Sequence, residues 1–230
     1  VESFDGVVYA PICWSNPSAS AWDRQTTGTD PTSSPHSGAA MSRYNSFNYF
    51  AGTTGILVTP GLDLPSDLYQ VRFWMYRDNG YATSADLVNV YYNTAPDTTG
   101  ATLLGTINRS NTLAPAEATP NQWYEYSFNM PVGSAGTGRY VIFEAVSDYG
   151  NNIFVDDVQI QLQPTCLAPT LLTASSITTN SATLGWTAGG SETAWDIQYG
   201  ISGFPLGSGT ILNNVTTNPY TLTGLTSATN

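Results

Sequence analysis

Five stretches between Tyr69 and Ser147 limit the folds open to this chain. YQVRFWMYR (69–77), ADLVNVYYN (85–93), ATLLGTIN (101–108), WYEYSFNM (123–130) and RYVIFEAVS (139–147) are short and rich in β-branched and aromatic residues. Clusters of Gly, Pro, Asn and Asp such as RDNG, TAPDTTG and VGSAGTG separate them. Successive side chains of a strand point to opposite faces, so each stretch buries one side and leaves the other free. Short strands broken at regular intervals by turn residues predict an antiparallel sandwich. No segment sustains the helical period, so almost no helix is expected.

The pattern changes at QLQPTCLAPTLL (161–172), where two prolines flank a cysteine between strand-like stretches. Such punctuation marks a linker. It divides the 230 residues into 1–163 and 164–230. ATLGWTA (182–188), AWDIQYG (194–200) and PYTLTGLTSATN (219–230) make the second part a further β unit. The segment from Val1 shows no signal-peptide pattern and reads like a mature N-terminus, as a trimmed chain would too.

Charge narrows the partners. The net charge is −11, all six basic residues are arginines, and charged residues make up only 10% of the chain. Nucleic acid needs a basic surface, so it is excluded as a partner, as is an anionic membrane. No apolar run reaches membrane-spanning length, so no membrane insertion is expected. Sparse charge with abundant Thr, Ser, Asn, Tyr and Trp suits a secreted, extracellular β protein, and the acidic balance favours cations.

Within GNNIFVDDVQI (150–160) two carboxylates, Asp156 and Asp157, interrupt an apolar strand. Adjacent strand residues point apart, so one of them faces what the strand buries. A buried carboxylate is costly unless it is paired or binds a metal. Two outcomes stand: the pair contributes to a metal site, or Asp156 opens a bulge and both carboxylates face water or cap backbone amides. Catalysis finds little support. The single histidine, His36, lies in a Ser/Pro-rich loop, and its neighbours Ser34 and Ser37 are close only in sequence. One His and two separated Cys do not make a zinc site. Glycoside hydrolysis needs two carboxyls facing one cleft, which adjacent strand residues do not provide. GSAGTG lacks the lysine and helix of a phosphate loop.

Two resemblances add to this reading. SATLGW with Trp186, WDIQYG with Tyr199, and YTLTGLTSAT with Leu222 and Leu225 resemble a fibronectin type III domain. That family goes on to a further aromatic strand, so the resemblance implies a partial immunoglobulin-like sandwich here, a fragment of a longer chain. The first part resembles the MAM-like jelly rolls also called cleaved adhesin domains. The residues that carry this are ESFDG at the start, PICW with Trp14, PHSGAAMSRY (35–44), LVTPGLDL (57–64), FWMYRDNGYATSADLVNVYYN and GNNIFVDDV. The implied fold class is all-β, an antiparallel jelly-roll sandwich followed by the partial sandwich. In the first unit two sheets place the first and last strands side by side. The resemblance implies adhesion and binding without a catalytic centre. It also implies a structural calcium ion (Ca2+), for which Glu2, Asp5, Asp156, Asp157 and Ser37 are the candidate ligands, with Gly38 as a further carbonyl donor. The proteins resembled are cargo of the type IX secretion system, which makes the outer-membrane secretion machinery an expected partner and a cell-surface location, with gliding or colonisation, the expected setting.

The remaining candidates come from loops. YRDNGYATSAD (76–86) places Arg77, Asp78, Tyr81 and Asp86 around an Asp-Asn-Gly turn. They are either a ligand-binding cluster or an arginine–aspartate network that stabilises the turn. Aromatics are too many for one core: Phe73 and Trp74 are neighbours and cannot both enter it. The surplus can cover the sheet or stack on sugar rings. Asp97-Thr98-Thr99 matches a short O-glycosylation motif, with Thr98 the acceptor. Cys13 and Cys166 either pair with each other or Cys166 finds a partner outside this sequence. The expected function is a calcium-stabilised adhesin or binding module for a cell-surface glycan or protein ligand. The alternative is a carbohydrate-binding module appended to a secreted hydrolase or peptidase.

Overall fold

Alternation along the strands becomes a sandwich when two sheets put their apolar faces together. The computed structural model describes residues 1–17, 21–164, 168–190, 192–205 and 207–226. The chain divides into two compact units, Val1–Gln163 and Pro164–Asn230. The first unit contains β1 (Trp22–Gln25), β2 (Met41–Tyr44), β3 (Thr54–Val58), β4 (Leu62–Leu64), β5 (Tyr69–Arg77), β6 (Leu87–Asn93), β7 (Thr102–Asn108), β8 (Gln122–Asn129), β9 (Gly136–Val146) and β10 (Ile153–Leu162). One sheet has the order β1-β2-β10-β5-β8; the other runs β3-β9-β6-β7, with β4 also paired to β9. The pairings are antiparallel. Among the described residues the one helical element is a 3-10 turn, Ser46–Asn48. All-β architecture of the jelly-roll kind is therefore what the alternation encodes.

Two-residue periodicity decides what goes inside. Val71, Phe73 and Met75 of β5 are fully buried and join Val141, Phe143 and Ala145 of β9 in the core between the sheets. Phe73 meets Phe143 edge-on at 5.0 Å. Burying each such side chain is worth about 1.5–3 kcal/mol. Trp22 spans the two sheets and donates its indole N–H to the Gly55 carbonyl at 2.9 Å.

The surplus aromatics lie on the outer face of the first sheet. Met41, Tyr76 and Phe154 form a second buried cluster, with Trp123 packed on it. The loop after β1 covers them: Trp123 donates its indole N–H to Ser34 O at 2.9 Å. Phe73 takes the core, and Trp74 lies under the His36 ring, stacked at 3.9 Å with 16° between the planes. At the other margin of β10, Glu2 and Val158 exchange backbone hydrogen bonds of 2.8 and 2.9 Å. This bridge sets the N-terminal segment beside the last strand of the unit.

The second unit contains β11 (Thr170–Ser175), β12 (Ser181–Thr187), β13 (Trp195–Tyr199), β14 (Thr210–Val215) and β15 (Tyr220–Thr223). They form an antiparallel sheet β11-β12-β15 and an antiparallel pair β13-β14. β14 is absent from the sequence reading, because TILNNV lacks clear alternation. An open cavity of about 1460 Å³ remains in this unit, lined by Leu184, Trp186, Trp195, Ile197, Leu222 and Leu225 among others. Among the described residues the indole N–H groups of Trp186 and Trp195 are buried there without an acceptor. Each orphaned donor costs about 1–3 kcal/mol. A polypeptide of residues 164–230 made alone is therefore expected to bind ANS strongly and to be digested quickly by protease. A cooperative calorimetric transition with no ANS binding would show that the unit closes its own core.

Candidate functional site

Two places in the first unit gather polar side chains, and each is built by loops that distant strands anchor. The first is the corner at Asp156 and Asp157. Val155 and Asp156 lie opposite Met75 and Trp74, but the next paired residue is Gln159 opposite Arg72. The slip is a β-bulge, with Asp157 at φ 50°. A bulge re-aims side chains. Contrary to the simple alternation expected from the sequence, both carboxylates therefore reach the same loop.

That loop is 36–40. Asp156 Oδ2 accepts the backbone N–H groups of His36 at 2.9 Å and Ser37 at 3.3 Å, and its Oδ1 accepts that of Asp157 at 2.8 Å. Asp157 takes Ser37 Oγ at 2.7 Å on Oδ1 and the imidazole Nδ1 of His36 at 2.6 Å on Oδ2. Asp156 is fully buried, and burial pushes its carboxyl up to about 7 against the pull of these amides. Asp5 holds the far end of the loop through the amides of Ala39 and Ala40. The Ala39 amide, then the Ser3 hydroxyl, hold its carboxyl below the usual range. Gly38 has φ 61°, and a Cβ there would overlap the Asp5 carboxylate. Glu2 Oε1 accepts the Phe4 amide at 2.7 Å.

The corner thus brings Asp156, Asp157 and Ser37 into contact, with Asp5 on the same loop and Glu2 one bridge away. The buried carboxylate is stabilised by backbone amides, the arrangement that a bulge with amide caps implies. Among the described residues no three His, Cys, Asp or Glu side chains surround one point in metal-ligating geometry.

The second place is the end of the sandwich where β5 meets β6. Arg77, Asp78 and Asp86, read as ligand-binding candidates, are 0–1% exposed. Arg109 lies between the two carboxylates, 2.7 Å from Asp78 and 3.5 Å from Asp86. Asp78 also accepts Asn151 Nδ2 at 2.8 Å, and Asp86 Oδ1 accepts Ser46 Oγ and the amides of Asp148 and Gly150. Arg77 donates to Tyr126 Oη at 2.8 Å and to the carbonyls of Ser110, Leu113 and Pro115. These three residues correct the ligand-binding expectation. They cannot touch an external ligand, because they are spent on fastening four loops. Of the four candidates only Tyr81 faces solvent, at 55% exposure.

Sequence reasoning missed Arg109, Phe47, Phe50 and Tyr149. Arg109 sits in a sequon-like NRS and has no local carboxylate; its partners are 31 and 23 positions away. SFNYF (46–50) is aromatic but too short for a period. In the structure Phe47 meets Tyr81 edge-on at 6.2 Å, and Phe50 lies near-parallel to Tyr149 at 6.4 Å. Thr98 is half-buried in the β6–β7 turn, where Asn93 Nδ2 donates to Asp97 O at 2.6 Å and Thr99 O at 3.1 Å. Cys13 is exposed with a free thiol, and Cys166 lies outside the described residues.

Removing one member of a buried ion pair leaves its partner uncompensated, at about 3–5 kcal/mol. Asp78→Ala and Arg109→Ala are each expected to lose that much stability in urea unfolding. Tyr81→Ala, on the exposed tip, should stay within about 0.5 kcal/mol of the parent. Equal losses for Asp78→Ala and Tyr81→Ala would contradict the division between frame and tip.

No family model matches the chain, and no curated protein matches it. Among solved structures, the K1 cleaved adhesin domain of Lys-gingipain from Porphyromonas gingivalis W83 is similar over 71% of this chain and 97% of that domain, at 19% identity and a TM-score of 0.51. The K2 cleaved adhesin domain of Lys-gingipain is similar over 70% of this chain and 98% of its own, at 19% identity and a TM-score of 0.52. TmCBM61, solved in complex with β-1,4-galactotriose, covers 70% of this chain and 95% of its own at 16% identity, with a TM-score of 0.47. At such identities the two adhesin domains share with this chain its fold, an all-β jelly-roll sandwich.

Proposed function

We propose that this chain is a non-catalytic, extracellular binding module of the adhesin kind, whose first unit is stabilised by a calcium ion. The observation that carries the reading is how the ionisable side chains are spent. Arg77, Asp78, Asp86 and Arg109 are buried in fastening loops, and His36 is stacked on Trp74 with its Nδ1 on Asp157. The large apolar side chains that the fastened loops turn to solvent are aromatic: Phe50, Tyr81 and Tyr149. Rigid loops on a β-scaffold present contact surfaces. The fold likeness to two cleaved adhesin domains supports the same reading. In it the module is cargo of the type IX secretion machinery, displayed at the cell surface with a role in gliding or colonisation, and the second unit is a fibronectin type III repeat. A panel of polysaccharides and peptides incubated with the protein should show retention without turnover. Detectable hydrolysis of any of them would overturn the non-catalytic reading.

Calcium would draw on the carboxylate oxygens of the corner, which are capped by amide, hydroxyl and imidazole groups, with no three acidic side chains around one point among the described residues. Asp156 is wholly buried, and beside it lie backbone amides and a second carboxylate, Asp157. Carboxylate oxygens are hard donors of the kind calcium takes. Asp5, Asp156 and Asp157, with Glu2 and the Ser37 carbonyl, would hold the ion. The ion would supply positive charge to adjacent carboxylates and tie the N-terminal segment to β10. An ion bound only by the folded state stabilises by about 2.7 kcal/mol at a hundredfold excess over Kd. For a domain of this size that is a shift of roughly 5–10 °C. Calcium-loaded protein, its metal content checked by mass spectrometry, should melt lower by that amount after EDTA. An unchanged Tm would remove calcium from the reading.

A further inference from the structure

The exposed rings at the loop end stand in two pairs. Phe50 is 80% exposed, Tyr149 61% and Tyr81 55%. Phe47 and Phe50 stand on a single short loop, so the pairs Phe47–Tyr81 and Phe50–Tyr149 share a base. That base is fastened. Ser147 Oγ lies 3.1 Å from Ser46 O and 3.0 Å from Tyr49 O, the Phe47 amide donates to Asn152 Oδ1 at 3.1 Å, and Arg109 donates to Tyr81 O at 3.1 Å. Large solvent-facing apolar side chains are usually flexible or scattered; here the buried ion cluster leaves their backbones little freedom.

The backbone supplies a second observation. Tyr81 and Tyr149 have φ of 46° and 63°. This is the left-handed region, which Gly and Asn enter at lower cost than an aromatic residue. An aromatic ring does nothing for such a turn. Strain that local structure does not require collects where a side chain serves contact.

We infer that Phe47, Phe50, Tyr81 and Tyr149 form a platform for an uncharged polysaccharide, whose sugar rings stack on their faces. The inference rests on the binding-module reading above and names its ligand class. Charge selects an uncharged ligand. The nearest cations, Arg77 and Arg109, are fully buried, so a phosphate, sulfate or uronate finds no exposed counter-charge from them. Acidic groups are close by, among them Asp148, whose carboxylate accepts the Ala85 amide. The same loops expose the short polar side chains Asn48, Asn79 and Thr83. Their amides and hydroxyl can donate to and accept from sugar hydroxyls. Flat rings accept the C–H face of a pyranose, and the phenol oxygens of the two tyrosines add hydrogen-bonding tips.

Affinity electrophoresis of the whole chain tests this, in gels containing xyloglucan, galactomannan, galactan or mixed-linkage glucan. Heparin gels and phosphatidylcholine vesicles serve as the charged and lipid arms. At least one neutral polysaccharide should retard the protein. Tyr149→Asn and Phe50→Ser should each weaken that binding about tenfold, ~1.4 kcal/mol. Tyr149→Asn should leave Tm unchanged or raise it, because Asn suits the positive φ. Three results would overturn the inference: no retardation by any neutral polysaccharide, retardation unchanged in both variants, or loss of binding only together with a fall in Tm. Adherence to whole cells or immobilised matrix proteins without any polysaccharide binding would sink the platform's ligand but leave the binding-module reading standing. A chain that binds nothing in either assay would sink both.

Discussion

A guanidinium held between two carboxylates with no access to water governs one end of the first unit. Taking Arg109, Asp78 and Asp86 out of solvent costs several kcal/mol per ion, and their attraction repays it only when the geometry is complete. Loops from four places in the chain converge to supply that geometry, although Asp86 Oδ2 and Arg109 Nε, 3.5 Å apart, have no hydrogen-bond partner among the described residues. Asn151 and the Asp148 and Gly150 amides come from the β9–β10 loop, Ser46 from the loop after β2, and Arg109 from the end of β7. Arg77 repeats the device one position before Asp78, against the carbonyls of 110, 113 and 115. If any one loop leaves, the remaining charges are stranded. This converts loops that sequence alone would leave mobile into a fixed surface.

The Asp156 corner solves a similar problem with backbone in place of side chains. Asp156 is buried without a guanidinium, and the amides of His36, Ser37 and Asp157 provide partial positive charge. The same loop reaches Asp5 through Ala39 and Ala40, so a single segment joins the first residues of the unit to its last strand. The apolar cluster of Met41, Tyr76, Phe154 and Trp123 meets that segment through Trp123, whose ring lies 5.8 Å from that of His36. Outer-face aromatics here serve loop anchoring, which removes Trp74 and Trp123 from the set of free stacking faces: one carries His36, the other donates its N–H to Ser34. The aromatics left for contact are those on the loop tips.

Strand placement was legible in the residues because periodicity is local. YQVRFWMYR became β5 with its expected ends, and the inward set Val71, Phe73 and Met75 follows from counting by two. The segment TILNNV was not legible as a strand, since its polar residues hide the alternation; pairing with β13 makes it one. The doublet Asp156-Asp157 announced a special position, but whether the two side chains part or converge depends on a bulge, which is a property of how β10 registers against β5.

By itself, then, the sequence determined the fold class, the division near Pro164, the acidic and lysine-free character, and the presence of polar clusters at 77–86 and 156–157. All of these rest on interactions between near neighbours or on totals. Only the tertiary structure decided that Arg77, Asp78 and Asp86 are frame and not surface, that their counter-ion is Arg109, and that Phe50 and Tyr149 stand together. Burial and pairing depend on which distant loops meet. That meeting is set by the order of strands in two sheets, and a linear pattern carries no information on it.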